Sequence, residues 1–459
     1  MEGVKQSLSF HGDRGVDLPR ILGLKDVVGI VVGTMIGSGI FIVPAAVAEA
    51  VKAPLLLLGV WLFGGVLTFF GALSLAELGA AYPQAGGMYV YLREAYGRLA
   101  AFLFGWVFFL VIDSGSMATL AVAFSSKYLP YFVGLSGFQT KAVAVTLIFV
   151  LAVINYIGVR WGALVQNLLM VIKFSALVGV CVVIFIFARG TTAHFVSPPP
   201  SSFSLDLIGA FGVGLIAALW ALKGWEVATF SAGELRQPGK HLPLGILIGT
   251  AAVLVLYFGA NLAYLYAMPI EAVARSNRIA SDAMHLAIGP VGASVIALAI
   301  LFSITGATNG HLLTGPRVYF AMARDGLFFR KVAEVHPRFL TPHFSIVALA
   351  GWSALLSLSG TFEQLFTYVV FGLWISYGLT VGAVLILRRK RPDLRRPYRT
   401  WGYPWTPALF VLAALFISVN TLVNRFWNSF AGLFILLLGL PAYFYWRRKL
   451  DKEPIEARR

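Results

Sequence analysis

The sequence predicts an all-α polytopic membrane protein with twelve transmembrane helices, and three observations support this prediction. Of the 459 residues, 59% are hydrophobic and only 12% are charged, and the mean hydropathy is +0.82. These values lie outside the range of soluble domains. Twelve apolar stretches are long enough to cross a hydrocarbon core about 30 Å thick. The first and the sixth of them contain glycine near the middle, where a helix is expected to break.

The twelve stretches follow one another with short polar connections. The prediction is therefore one membrane domain, residues 24–446, with an N-terminal tail at 1–23 and a C-terminal tail at 447–459. The polar segment before the first stretch has no small-residue cleavage site, so this stretch is expected to remain as a helix. Proline-rich turns separate some stretches, as in SPPPSS at Ser197–Ser202. The predicted spans are 27–50, 55–80, 99–125, 141–159, 161–188, 205–232, 242–268, 284–314, 343–360, 364–387, 404–424 and 428–446.

The net charge of +16 is distributed unevenly along the chain. With both termini on one side of the membrane, most of the 36 Lys and Arg residues fall on that side, which the positive-inside rule assigns to the cytoplasm. The densest basic block, Arg388–Arg399, resembles a nucleic-acid-binding patch, but orientation requires such a loop, and binding of anionic lipid stays open. We expect a multi-pass protein of the plasma (cell inner) membrane with cytoplasmic termini and no nucleic-acid partner.

The first span contains GTMIGSGIF, Gly33–Phe41, and the sixth contains WALKGWE, Trp220–Glu226. A break in a membrane helix frees backbone N–H and C=O groups, which must then face a polar cavity or a ligand. Two breaks at corresponding positions of two five-helix halves are typical of transporters built from inverted repeats. The half-helix after Gly39 begins with free N–H groups and a positive dipole end, which favour a carboxylate. A helix-packing GxxxG surface is the alternative.

Four motifs carry a family resemblance. On them the chain resembles the amino acid–polyamine–organocation permeases, in particular the L-type amino acid transporter branch and bacterial amino acid permeases. The resemblance covers about residues 24–446. It implies the LeuT-like fold, a five-plus-five inverted repeat with helices 1 and 6 broken, and alternating access to a central amino acid site. The motifs are GTMIGSGIFIVP (Gly33–Pro44), AELGAAYPQAGGMYVYLREAYG (Ala76–Gly97), ALWALKGWEVATFSAGELRQPGKHLP (Ala218–Pro243) and TGPRVYFAMARDGLF (Thr314–Phe328).

The resemblance implies contacts for both charged groups of an amino acid. The carboxylate is expected at backbone N–H groups of the first break, and the amino group at carbonyl oxygens that end the half-helices. Trp220 takes the position of an aromatic gate over the substrate, although a packing aromatic is the alternative. The predicted substrate-binding residues are Thr34, Met35, Ile36, Gly37, Ser38, Gly39, Trp220, Leu222, Lys223 and Gly224.

Lys173 lies near the centre of the fifth predicted span. At 1.5 Å per residue it is roughly 18 Å from either interface, beyond the reach of snorkelling, so its ammonium needs a partner or water. In the family pattern, a lysine here occupies the place of the cation of sodium-coupled relatives and binds carbonyls of the first span. This implies sodium-independent transport, with Lys173 as a permanent charge or a proton carrier. A purely structural ion pair is the alternative.

Three further charges lie near the predicted cavity: Asp113 in the third span, and Lys223 and Glu226 in the second break. Many bacterial relatives have WAFDGWN where this chain has WALKGWE. Branches that carry anionic amino acids have arginine at the position of Asp113, so aspartate argues against an anionic substrate. A buried charge usually finds its opposite, so we expect Lys223 to pair with Asp113 or Glu226. Recognition of a substrate side chain is the alternative.

Glu77 lies at the end of the second span, beside a cytoplasmic loop. A carboxylate in interfacial water is one interpretation. The family suggests instead a cytoplasmic gate in which Glu77 contacts Arg93, Glu234 or Arg236. The sequence does not separate the two.

Together with these patterns, the resemblance implies a sodium-independent secondary transporter of neutral or cationic L-amino acids that works by exchange or proton coupling. A channel would need a continuous polar face. An enzyme would need a clustered catalytic set, but the chain has no HExxH or GxSxG motif, and of its seven histidines only His311 lies in the interior of a span. We expect no metal or cofactor. A polyamine or amine carrier ranks second because its substrate has no carboxylate for the first break. The amino acid carried and an accessory single-span subunit stay open.

Overall fold

The computed structural model describes residues 17–196, 205–359, 362–424 and 426–452. Most of both predicted tails, and the predicted turn Ser197–Ser202, lie outside the described residues. Within them, eighteen α-helices follow one another: α1 Leu24–Met35, α2 Val43–Val51, α3 Pro54–Ala81, α4 Met88–Tyr96, α5 Arg98–Val107, α6 Asp113–Ala123, α7 Gly137–Tyr156, α8 Val159–Phe187, α9 Leu205–Ala221, α10 Pro238–Ala267, α11 Ile270–Arg275, α12 Ile279–Ile288, α13 Pro290–Thr314, α14 Pro316–Arg324, α15 His343–Ser359, α16 Phe362–Lys390, α17 Trp405–Asn424 and α18 Phe426–Lys452.

Length and composition identify eight membrane spans in the part of the chain that the structure describes. Three shorter apolar helices accompany them, Asp206–Ala221, Ile279–Ile288 and His343–Ser359. The predicted spans 364–387 and 428–446 fall on α16 and α18. The protein is thus a helical, multi-pass membrane protein. The eight spans are Leu24–Phe41, Pro54–Ala81, Arg98–Tyr131, Gly137–Tyr156, Val159–Phe187, Pro238–Ala267, Pro290–Arg324 and Trp405–Val423.

One predicted span begins at the wrong residue. The stretch 284–314 was expected to be a single helix, but α12 ends at Ile288 and α13 begins at Pro290. Gly289 between them has φ +75°, a left-handed conformation that glycine adopts without strain. Proline then fits the first turn of the new helix, where no N–H is needed. The apolar composition on both sides of Gly289 conceals this boundary.

The two broken helices lie at the centre of the packing. Helix α1 packs among α8, α10 and α13, while α2, which continues the first span beyond its break, packs against α9. Helix α9 ends where the second break begins. The two breaks therefore meet inside the helical bundle, and the other helices surround them.

The predicted tails are more ordered near the membrane domain than their polarity suggests. Leu22 forms an isolated parallel bridge with Leu235 and is 2% exposed. At the other end, α18 continues to Lys452, so the predicted boundary at 446 falls inside a helix.

Candidate functional site

The first break begins where α1 ends at Met35. Ile36 leaves the helical conformation, with ψ 84°, and a short 3₁₀ turn, Gly39–Phe41, leads into α2. In the described part of the chain, the N–H groups of Ser38 and Gly39 donate to no carbonyl or side chain. The Ser38 hydroxyl is also buried without a hydrogen-bond partner. The break thus offers donors that the protein itself leaves unused.

The second break begins after Ala221, where α9 ends, and continues to a 3₁₀ segment, Val227–Glu234. Gly224 has φ +115°, and a Cβ atom there would lie 2.9 Å from the amide nitrogen of Met35. The Thr34 hydroxyl lies 3.0 Å from the Gly224 carbonyl oxygen, and the Glu226 carboxylate accepts from the Gly224 N–H at 2.9 Å. Only glycine allows the two breaks to approach so closely.

A cavity of about 50 Å³ lies between the two breaks and helices α6 and α13. Such a volume holds a few water molecules, since one needs about 10–15 Å³ on this measure. Seven predicted substrate-binding residues line it, whereas Ile36, Leu222 and Gly224 lie beside it. The lining consists of Thr34, Met35, Gly37, Ser38, Gly39, Ser116, Thr119, Leu120, Trp220, Ala221, Lys223, Ala307 and His311.

Lys173 of α8 reaches the first break with its ammonium group. Its Nζ donates to the carbonyl oxygens of Gly33 at 2.6 Å, Ile36 at 2.9 Å and Ser303 at 2.8 Å. The Ser303 hydroxyl of α13 donates to the same Ile36 carbonyl at 2.8 Å. An ammonium has three donors, and here all three are used. Lys173 therefore ties the end of α1 to α8 and α13.

The predicted pairing of Lys223 with Asp113 or Glu226 is wrong among the described residues. Lys223 instead donates to the Ser116 hydroxyl at 2.6 Å. Asp113 and Glu226, predicted to line the cavity, lie outside its lining: Asp113 is turned toward α13 and Glu226 toward the backbone of its own break. The predicted pairing fails because each carboxylate has nearer donors. Both carboxylates still attract Lys223 electrostatically.

The nearest donors to Asp113 come from α13 and α14. Its Oδ1 lies 2.6 Å from Nδ1 of His311, and its Oδ2 accepts from the Tyr319 hydroxyl at 3.1 Å. A π-helical turn, Phe108–Ile112, immediately precedes Asp113, and such turns frequently mark functional sites. Sequence reasoning missed this cluster. The signal was His311, the lone histidine in the interior of a predicted span.

Glu77 is buried and neither interpretation from the sequence holds for it. Its carboxylate accepts from Arg388 at 2.9 and 2.6 Å and from the Thr400 amide at 2.7 Å. Arg396 approaches it to 3.3 Å. The guanidinium groups come from the basic block Arg388–Arg399, which was assigned only an orienting role. Helix α16 packs against α3, and this contact brings Arg388 at the end of α16 to Glu77.

The other members of the predicted gate form separate pairs. Arg93 binds the Asp325 carboxylate at 2.7 and 2.9 Å. Burial opposes the charge of Arg93, but the hydrogen bond to Asp325 raises the pKa of its guanidinium above the ordinary value. Glu234 and Arg317 form a fully buried pair at 2.6 and 3.0 Å. The predicted contact of Glu77 with Arg93, Glu234 or Arg236 is therefore wrong among the described residues, where its partners are Arg388, Arg396 and Thr400.

Comparison with known proteins agrees with this geometry. The family model described as amino acid permease matches residues 22–440. The serine/threonine exchanger SteT of Bacillus subtilis is 32% identical over 94% of this chain and 98% of its own length. The human b(0,+)-type amino acid transporter 1 is 30% identical, with 98% and 93% covered. The mouse large neutral amino acids transporter small subunit 2 is 32% identical, with 95% and 83% covered. The chain therefore belongs to the amino acid permease family, which confirms the resemblance seen in its motifs.

Proposed function

We propose that the protein is a secondary transporter that carries amino acids across the plasma membrane by alternating access, without sodium. One observation carries this proposal: the cavity lies between two helix breaks, and the unused N–H groups of Ser38 and Gly39 lie at the start of a half-helix. Backbone donors at a helix N-terminus favour an anion. An α-carboxylate is the anion that every amino acid shares.

The proposed architecture is twelve spans in a five-plus-five inverted repeat with both termini in the cytoplasm. Support comes from the two breaks, which begin at the ends of α1 and α9 and face one another. The basic loop between α16 and α17 fits the cytoplasmic side. In this architecture the site opens to one side of the membrane at a time.

Sodium independence is supported by Lys173. Its ammonium already binds the carbonyls of Gly33, Ile36 and Ser303, and oxygen ligands of this kind are what a bound Na⁺ would need. A second cation among the same oxygens would be repelled by the ammonium. The positive charge needed to hold the first break is thus supplied by the protein.

We propose neutral amino acids as the substrate class. The relatives named above are called a serine/threonine exchanger and a large neutral amino acids transporter. Around the cavity, Ser116 and Thr119 offer hydroxyl groups, and Lys223 places a positive charge in the wall. That charge disfavours a cationic side chain and, for the same reason, a polyamine. Exchange of one amino acid for another or proton-coupled uptake is the proposed mode, with an accessory subunit left open.

A thermal-shift screen of the detergent-purified protein tests the proposal. A ligand at one hundred times its Kd stabilises the folded state by about 2.7 kcal/mol. We expect L-serine, L-threonine or L-leucine to raise the melting temperature and counterflow in liposomes to follow the same ligands. L-Serine methyl ester, which lacks the carboxylate, should have no effect. Stabilisation by putrescine or spermidine, with none by any of the twenty amino acids, would contradict the proposal.

A further inference from the structure

We propose that His311 is the proton-binding site of this transporter and that it takes up a proton together with the substrate. This inference rests on the proposed transport function and adds a coupling ion to it. It assigns the proton to a side chain in the cavity wall and not to Lys173.

The hydrogen bonds around Asp113 fix the tautomer of His311. A carboxylate only accepts, so the imidazole Nδ1 at 2.6 Å from Oδ1 must carry the hydrogen. The Tyr319 hydroxyl donates to Oδ2 and so completes the carboxylate's partners. In neutral His311 the other nitrogen, Nε2, then has a lone pair and can accept a proton.

The free nitrogen of His311 belongs to a side chain that lines the cavity. His311 is 6% exposed and shares the lining with Ser116 and Lys223. In the described residues, Nε2 has no hydrogen-bond partner, whereas Nδ1 has Asp113. A proton that enters with water or substrate can therefore reach Nε2. The resulting imidazolium is stabilised by the carboxylate behind it.

Lys173 is less suited to carry a proton. Its three N–H donors bind three carbonyl oxygens. Loss of one proton would remove one of these hydrogen bonds from a buried carbonyl. Lys173 is also 1% exposed and is not part of the cavity lining. We therefore regard it as a fixed charge.

Three charged groups lie at His311 or at its neighbours. Asp113 on α6 contacts the imidazole directly, and Lys223 shares the cavity lining with His311. The Glu226 carboxylate attracts Lys223 and is turned toward the Gly224 N–H. Tyr319 on α14 faces the same carboxylate as a neutral donor.

Two further charges lie on helices that pack against α13. On α14, Arg317 pairs with Glu234. On α8, Lys173 keeps its positive charge because its carbonyl partners are neutral, and it meets α13 at Ser303, about 12 Å from His311 along the helix. Asp113 is therefore the charged group in direct contact with the imidazole.

A purely structural role is the alternative, in which Asp113 and His311 only join α6 to α13. The two roles differ in their response to protons. A structural pair would affect stability and uptake equally at every pH. A proton-binding site would make substrate binding consume a proton.

The experiment measures proton uptake when L-serine is added to detergent-purified protein in weakly buffered solution with a pH dye, between pH 5.5 and 8. L-Leucine is a second probe. The variants are His311→Gln, which cannot take up a proton, and Asp113→Asn, which removes the carboxylate behind it. The matched control is His285→Gln, an exposed histidine on α12. Uptake into proteoliposomes with an inward proton gradient is measured alongside.

We expect wild type and His285→Gln to take up about one proton per bound amino acid at the pH of maximum effect and to accumulate substrate with the gradient. His311→Gln should take up no proton for each amino acid that it binds, and its amino acid uptake should not respond to the gradient. If His311→Gln fails to fold, the comparison of wild type with Asp113→Asn decides, and Asp113→Asn should take up fewer protons per bound amino acid than wild type. The inference is overturned if wild type binds amino acid without taking up protons. It is also overturned if His311→Gln takes up as many protons as wild type. Absence of any amino acid binding by wild type overturns the proposed transport function as well.

Discussion

The ammonium of Lys173 lies 2.9 Å from the carbonyl oxygen of Ile36, the first residue beyond the end of α1. A carbonyl at a helix end has lost its intrahelical partner, and in a membrane it must find another. Lys173 supplies that partner from α8. The first break is thus held open by a cation that belongs to the chain itself.

Replacement of Lys173 by methionine should therefore both destabilise the protein and weaken substrate binding. The side chain keeps its approximate volume, but three carbonyl oxygens lose the ammonium as a donor. The Ile36 oxygen keeps the Ser303 hydroxyl, and a carbonyl left unpaired costs about 1–3 kcal/mol. Differential scanning fluorimetry should show a lower melting temperature than for wild type. Lys141→Met, an exposed lysine on α7, is the control and should melt like wild type. A Lys173→Met variant with wild-type stability and uptake would show that the ammonium is dispensable.

Gly39 should tolerate a side chain less well than Gly37 does. A Cβ at Gly39 would lie 2.8 Å from the Cβ of Ala221, whereas at Gly37 the nearest heavy atom, in Ala307, is 3.9 Å away. Gly39→Val should therefore push α9 away from the break, abolish uptake and lower the melting temperature. Gly37→Ala should fold normally and reduce uptake only by filling part of the cavity. Equal melting temperatures for the two variants would contradict this packing.

Gly224→Ala should separate the two breaks. The new Cβ would lie 2.9 Å from the Met35 amide nitrogen, and alanine is also strained at φ +115°. A strained backbone of this kind costs about 1–3 kcal/mol. The matched control is Gly209→Ala on α9, where a Cβ meets nothing within 4 Å and alanine favours helix. Thermal unfolding should show a loss of stability for Gly224→Ala and none for Gly209→Ala. The reverse order would rule out close contact between the breaks.

Glu77→Gln should loosen the loop after α16. The amide cannot compensate the guanidinium of Arg388, which donates two hydrogen bonds to the carboxylate. Removal of one partner from a buried pair costs up to about 3–5 kcal/mol, and less here because Arg388 is partly exposed. Limited proteolysis should cut within Arg388–Arg399 faster than in wild type. Glu271→Gln on α11, an exposed position, is the control. Unchanged cleavage of Glu77→Gln would show that the pair does not hold the loop.

Local chemistry made parts of this site predictable. Glycine is a weak helix former, so Gly37, Gly39 and Gly224 mark the two breaks in the sequence. A lone lysine at the centre of an apolar span must find a partner or water, and the family resemblance implied that the partners of Lys173 are carbonyls of the first span. The glycine breaks follow from the residues alone, whereas the contact of Lys173 needed the resemblance.

Pairings between helices could not be predicted in the same way. The partner of Asp113 depends on the rotation of α6 and α13 about their axes, and no spacing in the sequence encodes it. His311 therefore stayed a scattered histidine, and Lys223 was paired with the wrong group. Similarly, the pairing of Glu77 with Arg388 could not be predicted, because the two residues are 311 positions apart. Membrane orientation already explained the basic block Arg388–Arg399, so nothing in the sequence indicated that one of its arginines binds a buried carboxylate.

The central claim is that Lys173 takes the place of a coupling sodium ion. The most direct test compares initial rates of L-serine uptake, with L-leucine as a second probe, by wild-type proteoliposomes preloaded with the same amino acid. Sodium is present on both sides in one set and replaced by choline in the other. We predict equal rates in the two sets. Uptake that stops when sodium is withdrawn would contradict the account.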